Sequence, residues 1–210
     1  MALGISQRNL DTFIASLCHE AEALGASEAV ALSVDDVVLD ERTGLKCFVP
    51  LCSSYGVNLM CPPNVPPISK FKEMLRCYHS AILIMLVIPL SGMSGDSGEE
   101  NKEPRGAPTA EEMSIIVDAQ RRLHEIINRV ESLCFAAGYR FAAGLIGGAC
   151  CLCEECVGVS SGLPCRHPFK ARPSMDAMGI DVVATVKRVG LHLGFGQNDS
   201  RSWVGLVLVD

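Results

Sequence analysis

Aromatic side chains are scarce. Phe, Trp and Tyr make up 5% of the 210 residues, with a single Trp. That leaves little from which to build a stacking platform for single-stranded nucleic acid. Positive charge is also in short supply: 18 Lys and Arg face 24 Asp and Glu, a formal net charge of −6. The resulting pI of about 5.4 argues against nucleic-acid binding over the whole surface. No apolar run approaches the roughly 20 residues that span a bilayer; the longest, residues 81–90, falls far short. The first residues, Met1-Ala2-Leu3-Gly4-Ile5-Ser6-Gln7, have no basic start leading into an apolar stretch, so no secretory signal is expected. Chemical motifs are missing too. No serine nucleophile elbow or zinc-protease helix is present, and Gly194-Phe195-Gly196 lies in a glycine-rich turn with His192 rather than opening a helix after a strand. These absences leave a cytoplasmic protein with neither nucleic acid nor membrane as partner.

Against that background stand eleven cysteines. The rest of the composition, 49% hydrophobic and 20% charged, is that of a chain that builds a core, and its length suits one domain spanning residues 1–210. Disulfides have little use in a reducing compartment, so dense cysteines there point to metal or redox chemistry. The count is odd, and disulfides alone could not pair every thiol.

Hydrophobic periodicity predicts a helix over residues 7–25, with Ser6 as N-cap, Leu10, Phe13, Ile14, Leu17, Ala21 and Leu24 on one face and Gly25 as stop. Residues 28–40 suit a bent strand or hairpin around Asp35 and Asp36. Pro66 and Pro67 can open a short helix to about Tyr78, and residues 80–89, apolar on both faces, read as a buried strand. Residues 91–108, rich in Gly, Ser, Pro and Glu, read as a linking loop. Thr109 and Glu112 form a capping box for a helix whose stripe is Met113, Ile116, Val117, Gln120, Leu123, Ile127, Val130 and Cys134, ended by Gly138. Strands over 139–146 and 203–209 flank a further helix that Pro173 would open and that would reach about Val189. Cys18, Cys77 and Cys134 fall on apolar helix faces, where burial is expected, and His19 and His124 read as surface residues.

The pseudo-halves 1–90 and 109–210 share one order: helix, strand, cysteine loop, proline-opened helix, strand. Cys52 and Cys61 are nine apart, as are Cys156 and Cys165, at a constant offset of 104 residues. The predicted fold is therefore α/β: a single mixed sheet flanked by helices, built from two such halves, with both cysteine loops at the same end of the sheet.

Cys150-x2-Cys153-x2-Cys156 is a spacing that clasps a cubane iron–sulfur cluster. Cys165, followed by Arg166-His167-Pro168, is the candidate fourth ligand, farther along the chain than in bacterial ferredoxins. Cys151 is left out, since its side chain should point away from its neighbours. Arg166, His167, Lys170 and Arg172 would supply positive charge beside an anionic cluster, and a helix opening near Pro173 would add N–H groups. Four thiolates also make a zinc site, although zinc sites favour two separated C-x2-C knuckles. Cys47-x4-Cys52-x8-Cys61 offers three more thiols among loop residues. A cubane held there by three cysteines would leave one iron open to substrate, or a fourth ligand such as Cys77 or His79 would complete it.

Taken together these stretches resemble the DUF2284 type of predicted metal-binding proteins, found mainly in anaerobic bacteria and archaea. The matching residues are Leu45-Lys46-Cys47, Cys52-Ser53-Ser54-Tyr55-Gly56, Leu59-Met60-Cys61-Pro62-Pro63, Cys150-Cys151-Leu152-Cys153-Glu154-Glu155-Cys156 and Cys165-Arg166-His167-Pro168. The last runs into Ala171-Arg172-Pro173-Ser174-Met175-Asp176-Ala177-Met178-Gly179-Ile180-Asp181-Val182. Relatives commonly carry Glu where this chain has Asp176. The resemblance, from about residue 25 onward, implies metal binding by Cys47, Cys52, Cys61, Cys150, Cys153, Cys156 and Cys165, most naturally as iron–sulfur, with one or two 4Fe–4S clusters per chain. It implies no particular reaction.

Three functions follow as expectations. The first is an electron-transfer protein of anaerobic metabolism, with a redox protein as partner. The second is an iron–sulfur enzyme that binds a small-molecule substrate at an open iron beside Cys47, Cys52 and Cys61. The third is a zinc-stabilised interaction module. The first is favoured because no acid–base pair stands out near the three-cysteine site; Asp35, Asp36, Asp40 and Glu41 read as a solvated turn.

Overall fold

The structure, a computed structural model, describes residues 7–89, 109–158, 160–194 and 200–210. Its elements in chain order are α1 (Gln7–Ala23), β1 (Glu28–Ser33), 3-10 turns at Val34–Asp36 and Glu41–Gly44, α2 (Leu45–Phe48) and α3 (Ile68–Leu75). There follow β2 (Ser80–Pro89), α4 (Ala110–Ala136), β3 (Ala143–Ile146), α5 (Val182–Arg188) and β4 (Ser200–Val209). Ser6 and the linking loop 91–108 lie outside the described residues.

The four strands form one sheet in the order β1-β2-β4-β3. Every pairing in it is antiparallel, so the described sheet is not the mixed one predicted. The β2–β4 ladder, running from Ser80 opposite Val209 to Pro89 opposite Ser200, is its centre. Both faces are covered, which is why β2 could be apolar along its whole length. On one face Ile82, Ile84, Ile146, Val207 and Val209 meet Ile14, Leu17 and Ala21 of α1 and Leu123, Ile127 and Val130 of α4. On the other, Ala81, Leu83, Leu145, Leu206 and Leu208 meet Phe71 and Leu75 of α3, Val186 of α5 and the turn residues Met175, Met178 and Ile180. No helix among the described residues is long and apolar enough to cross a membrane.

Local signals explain most boundaries. The Thr109 hydroxyl accepts from Glu112 N and the Glu112 carboxylate accepts from Thr109 N, closing the capping box. Gly25 and Gly138 follow α1 and α4 with φ of 100° and 102°, a conformation that costs glycine little. Along α4 the stripe holds except at Met113, which is 45% exposed, and His124, predicted at the surface, is buried at 1% exposure. Cys18 and Cys134 are buried as expected, whereas Cys77 is exposed.

Two elements depart from the reading of the sequence. The strand from residue 28 stops at Ser33, where the Ser33 hydroxyl accepts from Asp35 N and starts a 3-10 turn. Pro173 does not open a helix. Its carbonyl accepts from Ile146 N, and Met175 N donates to Ile146 O, so this stretch extends alongside the end of β3. The helix starts later, at Val182, where the Asp181 carboxylate caps Ala184 N at 2.9 Å.

α1 and α4 lie on one face and α3 and α5 on the other, but the duplication expected of the two halves required both cysteine loops at one end of the sheet. The cysteine loops, however, leave opposite ends of the sheet. β1 ends at Ser33, opposite Ser80; β3 starts near that end, with Ala143 opposite Leu208, and runs away from it. An antiparallel sheet in this order forces that outcome, because β1 and β3 then point in opposite directions.

Gly205 shows how closely α4 lies on the sheet. A Cβ there would stand 2.7 Å from Ile127 Cδ1 and 3.1 Å from Leu145 O. Gly205→Val should cost about 1–3 kcal/mol of stability through overpacking. Denaturant unfolding tests this, and an unchanged midpoint would contradict so close a contact.

Candidate metal centre

Two loops that start at opposite ends of a sheet are brought together by backbone pairing on one face. After β1, residues 38–40 run antiparallel to residues 179–181: Asp181 N donates to Val38 O and Asp40 N to Gly179 O. Thr185, fully buried, accepts from Val38 N and donates to Asp181 O. The chain then continues beside the 174–178 turn, where Ser174 N donates to Met60 O at 3.2 Å. Since Ser174 also bridges to Ile146 at the end of β3, the first cysteine loop is delivered to the second.

Within the first loop, α2 is a single turn carrying Cys47, and Cys52 N donates back to Cys47 O. Gly56 N to Pro62 O and Cys61 N to Asn58 O fold the remainder into a tight coil. Asn58 is 8% exposed. Its Nδ2 donates to Cys150 O at 2.8 Å, and its Oδ1 accepts from Met60 N at 2.9 Å. A Cβ at Gly158 would stand 3.1 Å from Val57 O, a second close approach between the loops.

In the second loop, Cys150, Cys153, Cys156 and Cys165 all line one small cavity of about 20 Å³, together with Asn58, Met60 and His167. Spacing predicts these four sulfurs within one ligand shell. In the structure they share a cavity, and among the described residues no group of three or more His, Cys, Asp and Glu side chains is arranged to hold a metal ion. His167 N donates to Cys165 Sγ at 3.3 Å, and the backbone at Leu152 hydrogen-bonds to Cys150. Such N–H groups are among the features that tune a thiolate centre. They take the place of the helix end expected at Pro173. The expected cations are differently employed: Arg166 donates to Glu155 O, and Arg172 is 2.5 Å from Glu131.

Electrostatics tie the loops into one thiol-rich zone. Burial pushes Cys61 up to about 12, reinforced by Cys52, Cys47, Cys150 and Cys156. Cys61 therefore feels both loops, its own Cys52 and Cys47 more than Cys150 and Cys156. Burial likewise carries Cys150 up to about 11, with Cys151, Cys165 and Cys153 adding to it against the Leu152 hydrogen bond. Cys47 is raised by burial, then by Cys52 and Asp176. Raised in this way, Cys61 and Cys150 resist ionising without a cation. Uptake of a thiolate-binding metal by the metal-free chain must release protons and strengthen as pH rises.

Several residues fall elsewhere. Cys77 and His79, offered as a fourth ligand for the first loop, sit after α3 at the sheet end where His79 N donates to Val209 O. They do not join Cys47, Cys52 and Cys61. Cys151 has Arg121 as its charged neighbour. Asp176 was not expected. Burial raises its carboxyl, against Lys46 and hydrogen bonds from its own N–H and that of Gly148, and it acts on Cys47. A carboxyl therefore does accompany the first cysteine set. His124 hydrogen-bonds through Nδ1 to Gln120 O, and burial lowers its pKa and keeps it neutral.

In the metal-free chain at neutral pH, iodoacetamide should label exposed Cys77 first and Cys61, Cys134 and Cys150 last. The slow sites should speed up with each step in pH, because only thiolate reacts. Peptide mass spectrometry gives the order, and early labelling of Cys61 would contradict its burial. Asn58→Leu should cost about 1–3 kcal/mol by orphaning the groups it pairs and should hasten labelling of Cys150. An unchanged unfolding midpoint and labelling rate would remove Asn58 as the link between the loops.

No curated protein and no solved structure matches the chain. The family model described as predicted metal-binding protein, DUF2284, matches residues 30–209, which include both cysteine loops and the turn between them. The chain thus belongs to the DUF2284 family of predicted metal-binding proteins.

Proposed function

We propose that this chain is an iron–sulfur protein of a reducing cytoplasm that transfers electrons to or from a redox partner. A 4Fe–4S cluster would be held by Cys150, Cys153, Cys156 and Cys165, and Cys47, Cys52 and Cys61 would hold a second centre beside it. The observation that carries this reading is the shared cavity of the four thiols. Their donor chemistry fits: four soft sulfur donors from one loop line the same cavity, and the N–H of His167 donates to Cys165 Sγ. When bound, such a cluster supplies a one-electron couple. The chain's own residues would set its environment. Asn58 keeps the two loops in register, the hydrogen bonds at Cys165 and Cys150 stabilise thiolate, and Met60 and Ala171 bring apolar surface to the cavity.

A second reading, an iron–sulfur enzyme, is favoured by a specific observation. A cavity of about 550 Å³ opens beside Cys47, and a half-buried carboxyl, Asp176, lies near the same thiol.

Purified without oxygen, the protein should be brown and contain iron and acid-labile sulfide in equal amounts, roughly 8 iron per chain for two cubanes and about half that for one. A colourless protein with stoichiometric zinc would overturn the iron–sulfur reading. Cys156→Ala should lower iron content and melting temperature together, whereas Cys77→Ala should change neither. Full iron loading in the Cys156 variant would remove it from the ligand set.

A further inference from the structure

The cavity beside Cys47 has a chemical character of its own. Its walls come from Leu45 and Phe48 on α2, Tyr55 in the first loop, and Val65 and Ile68 at the entry to α3. At about 550 Å³ it falls in the size range of small-molecule sites. Leu45 and Phe48 are 60% and 52% exposed, so the chain keeps large apolar groups in water where the core does not need them. The rings of Phe48 and Tyr55 lie 5.1 Å apart at 59°, a tilted pair within the range that aromatic contacts favour. Pro62, Pro63, Pro66 and Pro67 also line it, and their fixed φ angles hold the wall in shape before anything binds.

Charge narrows the class of ligand. The lining contains one carboxylate, Glu41, and no Lys, Arg or His. An anion entering it would lose hydration and meet a like charge with no counter-ion. Ser69 and the Tyr55 ring edge offer limited polar contact for a single hydroxyl or carbonyl.

We propose that this cavity binds a neutral, largely apolar organic molecule and holds it against Cys47. The assignment deepens the enzyme reading and takes from it only the role of the bound molecule as substrate; binding itself depends on the cavity walls. The walls are drawn from separate stretches, residues 41–48, 55–63 and 65–69, with Ala177 closing them. They form a concave pocket for a compact molecule rather than a track along a strand or helix.

The test uses the full chain purified without oxygen, with iron and sulfide measured on the same sample. It is titrated with the neutral dye N-phenyl-1-naphthylamine and, separately, with its anionic relative 8-anilino-1-naphthalenesulfonate. The neutral dye should brighten and saturate at about one per chain, and the anionic dye should bind at least tenfold more weakly, about 1.4 kcal/mol. Ser69→Trp, at an exposed position on α3, should fill the pocket and weaken the neutral dye by a similar factor. Phe48→Ala, also at an exposed position, should weaken it by removing a wall. Any of three results overturns the proposal: no saturable binding of the neutral dye, equal binding of both dyes, or binding unchanged in both variants. Displacement of the dye as the chain self-associates at higher concentration, seen by sedimentation, would overturn it in favour of a second copy as occupant. Dye binding to a chain that carries no iron would leave the pocket standing and sink the iron–sulfur reading. Iron without dye binding would do the reverse.

Discussion

One side chain links the two cysteine loops directly, where the backbone pairing of residues 38–40 with 179–181 has brought them near. Asn58 is buried, and its amide reaches Cys150 O with one end and Met60 N with the other. Neither loop has much core of its own. Leu45, Phe48, Val49, Leu51 and Val57 of the first and Leu163 of the second are exposed. Hydrogen bonds, rather than apolar burial, therefore set the distance between the cysteine sets. A buried amide with good partners suits this task because leaving it unpaired is costly.

The antiparallel sheet makes that link necessary. With β1 and β3 on opposite edges and pointing in opposite directions, the loops that follow them start far apart. The pairing of residues 38–40 with 179–181, anchored by Thr185, carries the first loop across one face. The turn at 174–178 completes the path, bonded to Met60 on one side and to Ile146 on the other. This turn also positions Asp176 near Cys47. The segment between Pro173 and Asp181, which adds no regular element to the sheet or the helices, is what makes a shared thiol zone possible.

The sequence was most legible where local chemistry decides structure. The Thr109–Glu112 capping box and a long apolar stripe placed α4, and unbroken apolar character on two faces placed β2. It was least legible where distant contacts override local preference. Pro173 has the look of a first-turn residue, but its carbonyl is taken by Ile146, and the true cap is Asp181. His124 lies on the buried stripe at helical spacing from Gln120, and residue type alone suggested the surface. At the candidate centre, cysteine spacing singled out the second loop. The roles of Asn58 and Asp176 come from contacts across some 92 and about 129 positions of chain respectively, which no local pattern encodes.

The exposed, hydrogen-bonded construction of the cysteine loops divides the molecule into two regimes. The sheet and its flanking α1 and α4 are closed by side chains such as Ile82, Ile127 and Val207 that water does not reach. Their amides can exchange with solvent only when the whole domain opens. The loops are tied to each other and to the frame mainly by individual bonds at Asn58 and Ser174, so they can open as a unit while the sheet stays folded. A frame closed by apolar burial thus stands beside a thiol zone closed by single hydrogen bonds, and the second can loosen at a lower free-energy cost than the first.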